Sequence, residues 1–201
     1  MTVNGPDTQR FFFRSKFLRE VAYQARLGVR AADQLDAGLA QGDDDGVWLA
    51  IHALLTTAGN VSNLLWGGSV KPLADNAEKQ ARRERKRERV GFLQRALTVP
   101  ADSPLKSRSL RDIWVHYDEY LDNWAAEGMP YSDDRNVARG PVTFQALPAG
   151  YRLRHFDAAS YVLSFGELSI PLRPLFDALR TLASDAADKA EYMFATGEDE
   201  L

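Results

Sequence analysis

From residue 7 to 40 the apolar positions Leu18, Val21, Ala25, Val29, Ala32, Leu35 and Leu39 recur at spacings of three and four. That period places them on one stripe of a long helix. Gln41 to Gly46 breaks the pattern, and its three aspartates suit the positive end of the next helix. A second helix is expected over 45–66, with Val47, Ile51, Leu54, Ala58, Val61 and Leu65 inward and a stop at Gly67-Gly68. The third, 73–97, carries a charge run from Lys79 to Arg89 and an apolar end of Val90, Leu93 and Leu97, with Pro100 closing it. The fourth is expected over 103–126. It opens on Ser103-Pro104, a cap followed by proline in the first turn. Its face is broad and aromatic: Leu110, Ile113, Trp114, Tyr117, Leu121 and Trp124.

Residues 129–170 change character. Gly, Pro, Asp and Asn punctuate them, and Tyr151–Phe156 and Ser160–Phe165 alternate as short strands do, with Leu168–Ile170 as a third after Gly166-Glu167. A last helix, 172–194, turns Leu172, Leu175, Leu179, Leu182, Ala186, Ala190 and Met193 inward, and an acidic tail runs from Gly197 to Leu201. The pattern predicts a mainly α fold: a four- to five-helix bundle with a small inserted β-hairpin or meander, 1–201 as one domain.

Composition narrows the chemistry. Among the 201 residues 45% are hydrophobic, enough to build a core without staples. No cysteine is present, which excludes a disulfide scaffold, a thiolate zinc site and a cysteine nucleophile together. The net charge of −3 excludes a globally basic nucleic-acid binder, so an anionic partner must be recognised locally. The start lacks the basic-then-apolar pattern of a signal peptide. The longest apolar stretch, around Val47 to Leu55, is broken by His52 and too short for a bilayer. A cytoplasmic protein without a membrane partner is expected. No glycine-rich phosphate loop, His-Glu-x-x-His pair, EF-hand loop or serine elbow occurs, so no metal or cofactor is expected.

Three histidines limit the proton-transfer options. His52 forms a polar edge with Thr56, Asn60 and Asn63 on the second helix, as in a network between helices. His155 alternates with Arg152 and Arg154, as on a strand surface. His116 lies on the aromatic helix, with Asp112 at i−4 and Glu119 at i+3 on the same edge. A neighbouring carboxylate orients an imidazole and favours its charged form. Arg111 precedes His116 by five residues, roughly 140° around a helix and about 7.5 Å along it.

The string Arg111-Asp112-Ile113-Trp114-Val115-His116 resembles the HEPN superfamily motif, in which arginine and histidine are four to six residues apart and a polar residue comes directly after the arginine. The stretch Leu110 to Asp122 is also similar to a group of bacterial HEPN-like proteins. The resemblance implies a dimeric helical bundle and a metal-independent endoribonuclease, often a toxin with an antitoxin partner or an antiphage factor. It implies Arg111 and His116 as the active pair and Asp112 at the polar position, where asparagine is commoner. The alternative left open is a non-catalytic helical module that binds RNA or protein. Phosphate contacts are expected from Arg82, Arg83, Arg85 and Lys86, with Arg108 ahead of the motif. The competing reading of the charge run, which its interleaved Glu78, Glu84 and Glu88 favour, is a solvated helix laced with i, i+4 pairs. A third option is a metal site of Asp118, Glu119 and Asp122.

Overall fold

The computed structural model describes residues 6–67, 77–107, 112, 115–127, 134–140, 153–166 and 168–197, with side chains from Phe11 onward. The expected tail beyond Gly197, the expected strand start at 151–152 and the residues Arg108 and Arg111 lie outside these.

Three long helices make the core. They are α1 (Pro6–Gln41), α2 (Asp44–Trp66) and, at the far end of the chain, α5 (Leu172–Thr196). The stripe read from the sequence is the buried one: Leu18, Val21, Ala25 and Leu35 on α1 are fully enclosed, as are Ile51, Leu54, Val61 and Leu65 on α2 and Leu172, Leu179, Ala186 and Met193 on α5. The α1–α2 corner is set by capping. Asp43 accepts a hydrogen bond from the Gly46 amide at 2.9 Å, and Asp44 and Asp45 sit in the first turn against the helix dipole. The three helices meet at Gly28. A Cβ there would stand 2.7 Å from Leu179 Cδ1 and 3.0 Å from Thr57 Oγ1. Gly28→Leu is therefore expected to wedge α1 from its neighbours and cost about 1–3 kcal/mol. An unchanged urea midpoint would mean that the helices slide freely past one another.

Helix α3 (Ala77–Ala96) joins this core only by its last turns, where Phe92, Leu93 and Ala96 are buried. Its start is charged and largely exposed. Gln94 Nε2 donates to the Leu65 carbonyl at 2.9 Å, and Lys189 Nζ donates to the Ala96 carbonyl.

The region between helices is a four-stranded sheet. Strand β1 (Asn136–Ala138) lies parallel to β2 (Arg154–Asp157), and β3 (Val162–Phe165) and β4 (Leu168–Pro171) continue antiparallel. The row Val137, Phe156, Leu163 and Ile170 runs across the face turned to the core. The β3–β4 turn uses Gly166 at φ +53°, and a Cβ there would also lie 2.5 Å from Tyr120 Oη, so both backbone and space call for glycine. Tyr161 adopts φ +55°, a strained conformation for a side chain of that size. It is held there by a 2.5 Å hydrogen bond to Asp36 and by edge-on contacts with Phe156 and Phe176.

The mainly α fold with a small β insertion is as expected, and three local expectations are corrected. The fourth helix is not continuous over 103–126. Pro104–Lys106 is a 3₁₀ turn, and the helix that reaches Ala126 starts at Tyr117, with His116 at its N-cap position (φ −109°, ψ 34°). This helix, α4 (Tyr117–Ala126), buries no residue and packs on the sheet, with Tyr117 and Tyr120 edge-on to Phe165 at 5.9 and 5.8 Å. His155 is not on a surface; it is 9% exposed, on a strand paired along both edges, and alternation alone does not show whether a sheet face is covered. Strand β1 is additional to the strands expected. Among the described residues no helix is long and apolar enough to cross a membrane.

Candidate functional site

His116 begins α4, and its position is fixed by the next residue in the chain. Tyr117 is clamped from three sides. The Arg154 guanidinium stacks 4.2 Å above its ring, Phe165 meets its edge, and its hydroxyl donates to Asp134 Oδ1 at 3.3 Å. Arg154 in turn grips Asp134 with both arms of its fork, Nε to Oδ1 at 2.7 Å and Nη2 to Oδ2. Nothing in the local sequence marks Asp134 or Arg154 as partners. The clamp supplies a physical reason for the break at His116: the chain leaves helical geometry where Tyr117 is drawn under Arg154.

The His116 side chain is 59% exposed, and its Nδ1 lies 3.2 Å from Glu119 Oε1. The expected i+3 carboxylate is thus in place. The i−4 residue contributes its backbone, since the His116 amide donates to the Asp112 carbonyl at 3.0 Å, while the Asp112 side chain is exposed. The site is an open surface, with Val115 also exposed. Its expected partner Arg111, and Arg108, lie outside the described residues.

His52, on α2, is exposed but feels the clamp: partial burial, then the Arg154 charge, lowers its pKa. Further along the same helix, Asn60 donates to Gln24 on α1 at 3.1 Å. Asp118, Glu119 and Asp122 do not converge; among the described residues no group of three or more such side chains could hold a metal ion.

The basic helix divides into two faces. Arg82 and Arg85 point to solvent, as does Arg87. Arg83 and Lys86 are half-buried, and Arg89 lies over the Phe17 ring and donates to the Asn63 carbonyl at 3.1 Å. Burial lowers the Arg89 pKa. Arg89 therefore fastens the end of the run to α1 and α2, and its exposed members Arg82, Arg85 and Arg87 are the ones open to an anion.

Two half-buried phenols, Tyr117 in the clamp and Tyr161 ahead of β3, are held in their neutral forms. Burial first, then the Asp134 charge, pushes Tyr117 up to about 12. Burial first, then the hydrogen bond to Asp36, pushes Tyr161 up to about 12. Unfolded tyrosine titrates near pH ~10. A folded pKa above that value gives stability that is complete below about pH 10 and is lost as pH rises through about 12. Thermal melts should weaken across that window, and tyrosinate absorbance should show two late phenols. Asp134→Asn should bring Tyr117 earlier; an unmoved titration would remove Asp134 from its surroundings. Neither a family model nor a curated protein nor a solved structure matches this chain.

Proposed function

We propose that the chain is a HEPN-like, metal-independent endoribonuclease. The reading rests on the resemblance of Arg111 to His116 to the HEPN motif. The observation that carries it is His116 itself, an exposed imidazole at a firmly mounted helix start, oriented by Glu119 at 3.2 Å. An imidazole can take the proton of a ribose 2′-hydroxyl and return one to a leaving 5′-oxygen, since its unperturbed pKa is near ~6.5. The 2′-oxygen forms the new bond to phosphorus as the bond to the 5′-oxygen breaks, leaving a 2′,3′-cyclic phosphate. Arg111 is assigned the developing phosphorane charge, which its planar fork suits.

One histidine and one arginine make half a site. Two copies of the pair would face each other across a two-fold axis in a homodimer. RNA is the substrate in this reading, Arg82 and Arg85 are outer phosphate contacts, and the protein works in the cytoplasm as a toxin checked by an antitoxin or as an antiphage factor. The test is incubation of single-stranded RNA with the protein in EDTA, and then analysis of the new ends. Cyclic phosphate ends support the reading; hydrolysis that stops in EDTA defeats it.

A second reading is favoured by two observations. The helix is interrupted between His116 and Tyr117, at the residue assigned proton transfer, and an exposed aspartate, Asp112, holds the position after Arg111 where asparagine is commoner in the motif. Both suit a non-catalytic helical module that binds RNA or protein.

A further inference from the structure

The chain's net charge is −3, yet from Arg14 to Arg30 α1 carries five cations, Arg14, Lys16, Arg19, Arg26 and Arg30, against the single carboxylate of Glu20. Phenylalanines are interleaved with the first of these. Along the side where α1 meets the end of α5, an open cleft of about 530 Å³ is lined by Lys16, Arg19, Tyr23 and Arg26 from α1 and by Glu191 and Phe194 from α5. Its floor is kept low by the small side chains of Ala22, Ala187 and Ala190.

The rings here are not core. In the cleft Phe194 is 71% exposed and Tyr23 49%; Phe12 and Phe13, nearby on α1 but not part of the cleft lining, are also about half exposed. Cations lie beside them: the Arg19 guanidinium is 5.2 Å from the Phe194 centroid and Lys16 Nζ is 5.0 Å from that of Phe12. Exposed rings alternating with cations in a concave track are what an unpaired polynucleotide requires, because its bases offer stacking faces and its backbone offers regularly spaced anions. A duplex keeps its base faces inside. A flat lipid surface would meet Phe12 and Phe13 but would not enter the cleft.

We propose that the cleft between α1 and α5 binds a single-stranded polynucleotide, with bases stacked on Tyr23 and Phe194 and phosphates paired with Lys16, Arg19 and Arg26. The site belongs to different elements from His116 and stands without the cleavage reading. The test is fluorescence anisotropy with a labelled 12-nucleotide RNA free of self-complementarity. The full chain carrying His116→Ala is used in EDTA, so binding is read apart from cutting. Affinity should fall with salt. The triple change Lys16→Gln, Arg19→Gln, Arg26→Gln should shrink the log–log salt slope by about 2. Tyr23→Ala and Phe194→Ala should each weaken binding roughly 5- to 150-fold. Tyr23→Phe and Phe194→Tyr keep a stacking face and should retain affinity, which separates stacking from any loss of folding. Several results would overturn the proposal: no RNA binding, an unchanged slope in the cleft triple, or a slope that moves with Arg82→Gln, Arg85→Gln, Arg87→Gln instead. So would protein that ignores RNA but sediments with phosphatidylserine–phosphatidylcholine vesicles.

Discussion

His116→Ala is expected to lower RNA cleavage by roughly 10²–10⁴-fold, the contribution of a positioned proton-transfer group. The fold should survive, because the side chain is exposed and its pairing with Glu119 is a surface one, worth about 0–1 kcal/mol. Arg111→Lys should fail almost as badly, since a point charge does not reproduce a planar fork on phosphate. His52→Ala serves as the control: its imidazole is on another helix, and a folded variant should still cut. Asp112→Asn removes the anion beside the phosphate position and should raise activity, or create it if the native chain has none. If native protein and Asp112→Asn, both folded and dimeric, leave RNA intact, the endoribonuclease reading is lost and the binding module takes its place.

Phe156→Ala is expected to cost about 3–5 kcal/mol, the range for emptying a buried aromatic site. Phe156 is fully enclosed, stands in the row from Val137 to Ile170, and meets the ring of Tyr161 edge-on at 5.8 Å. It fastens the sheet to the helices, and so indirectly the helix on which His116 is mounted. Chemical denaturation measures the loss. A cost under about 1 kcal/mol would mean that the Arg154–Asp134 grip and the sheet edges hold the insertion without its core row.

Long elements are legible because their periods are long. The stripes of α1, α2 and α5 run for many turns, and the alternation of Val162–Phe165 with the glycine turn after it marks the hairpin. Strand β1 has three residues and pairs in parallel with a distant partner, so it carries no local period. The fourth helix misleads for the opposite reason. Its apolar spacing continues through His116 to Trp124, and only partners from elsewhere interrupt it: Asp134 is 17 residues beyond Tyr117, and Arg154 a further 20. The role of Arg154 is not legible because alternation shows which side chains share a face, not whether a half-buried carboxylate stands there. Among the basic residues, the charge run of α3 is the conspicuous one. The shorter mixture of phenylalanine and arginine at the start of α1 is the one on which the proposed polynucleotide cleft draws, and the apolar stripe of the same helix masks it.

The contact of Gly28 with Leu179 has a consequence for how the protein is made. Helix α1 packs against α5, and these two residues are roughly 150 positions apart. A ribosome adding on the order of 5–20 residues per second needs about ten to thirty seconds to span that interval. For much of it, α1 is outside the tunnel with its α5-facing flank, which includes Gly28, uncovered. Folding of the core therefore waits until α5 has been made, and a nascent chain stalled before Leu172 should be held by chaperones or digested, however well α1 and α2 have already paired.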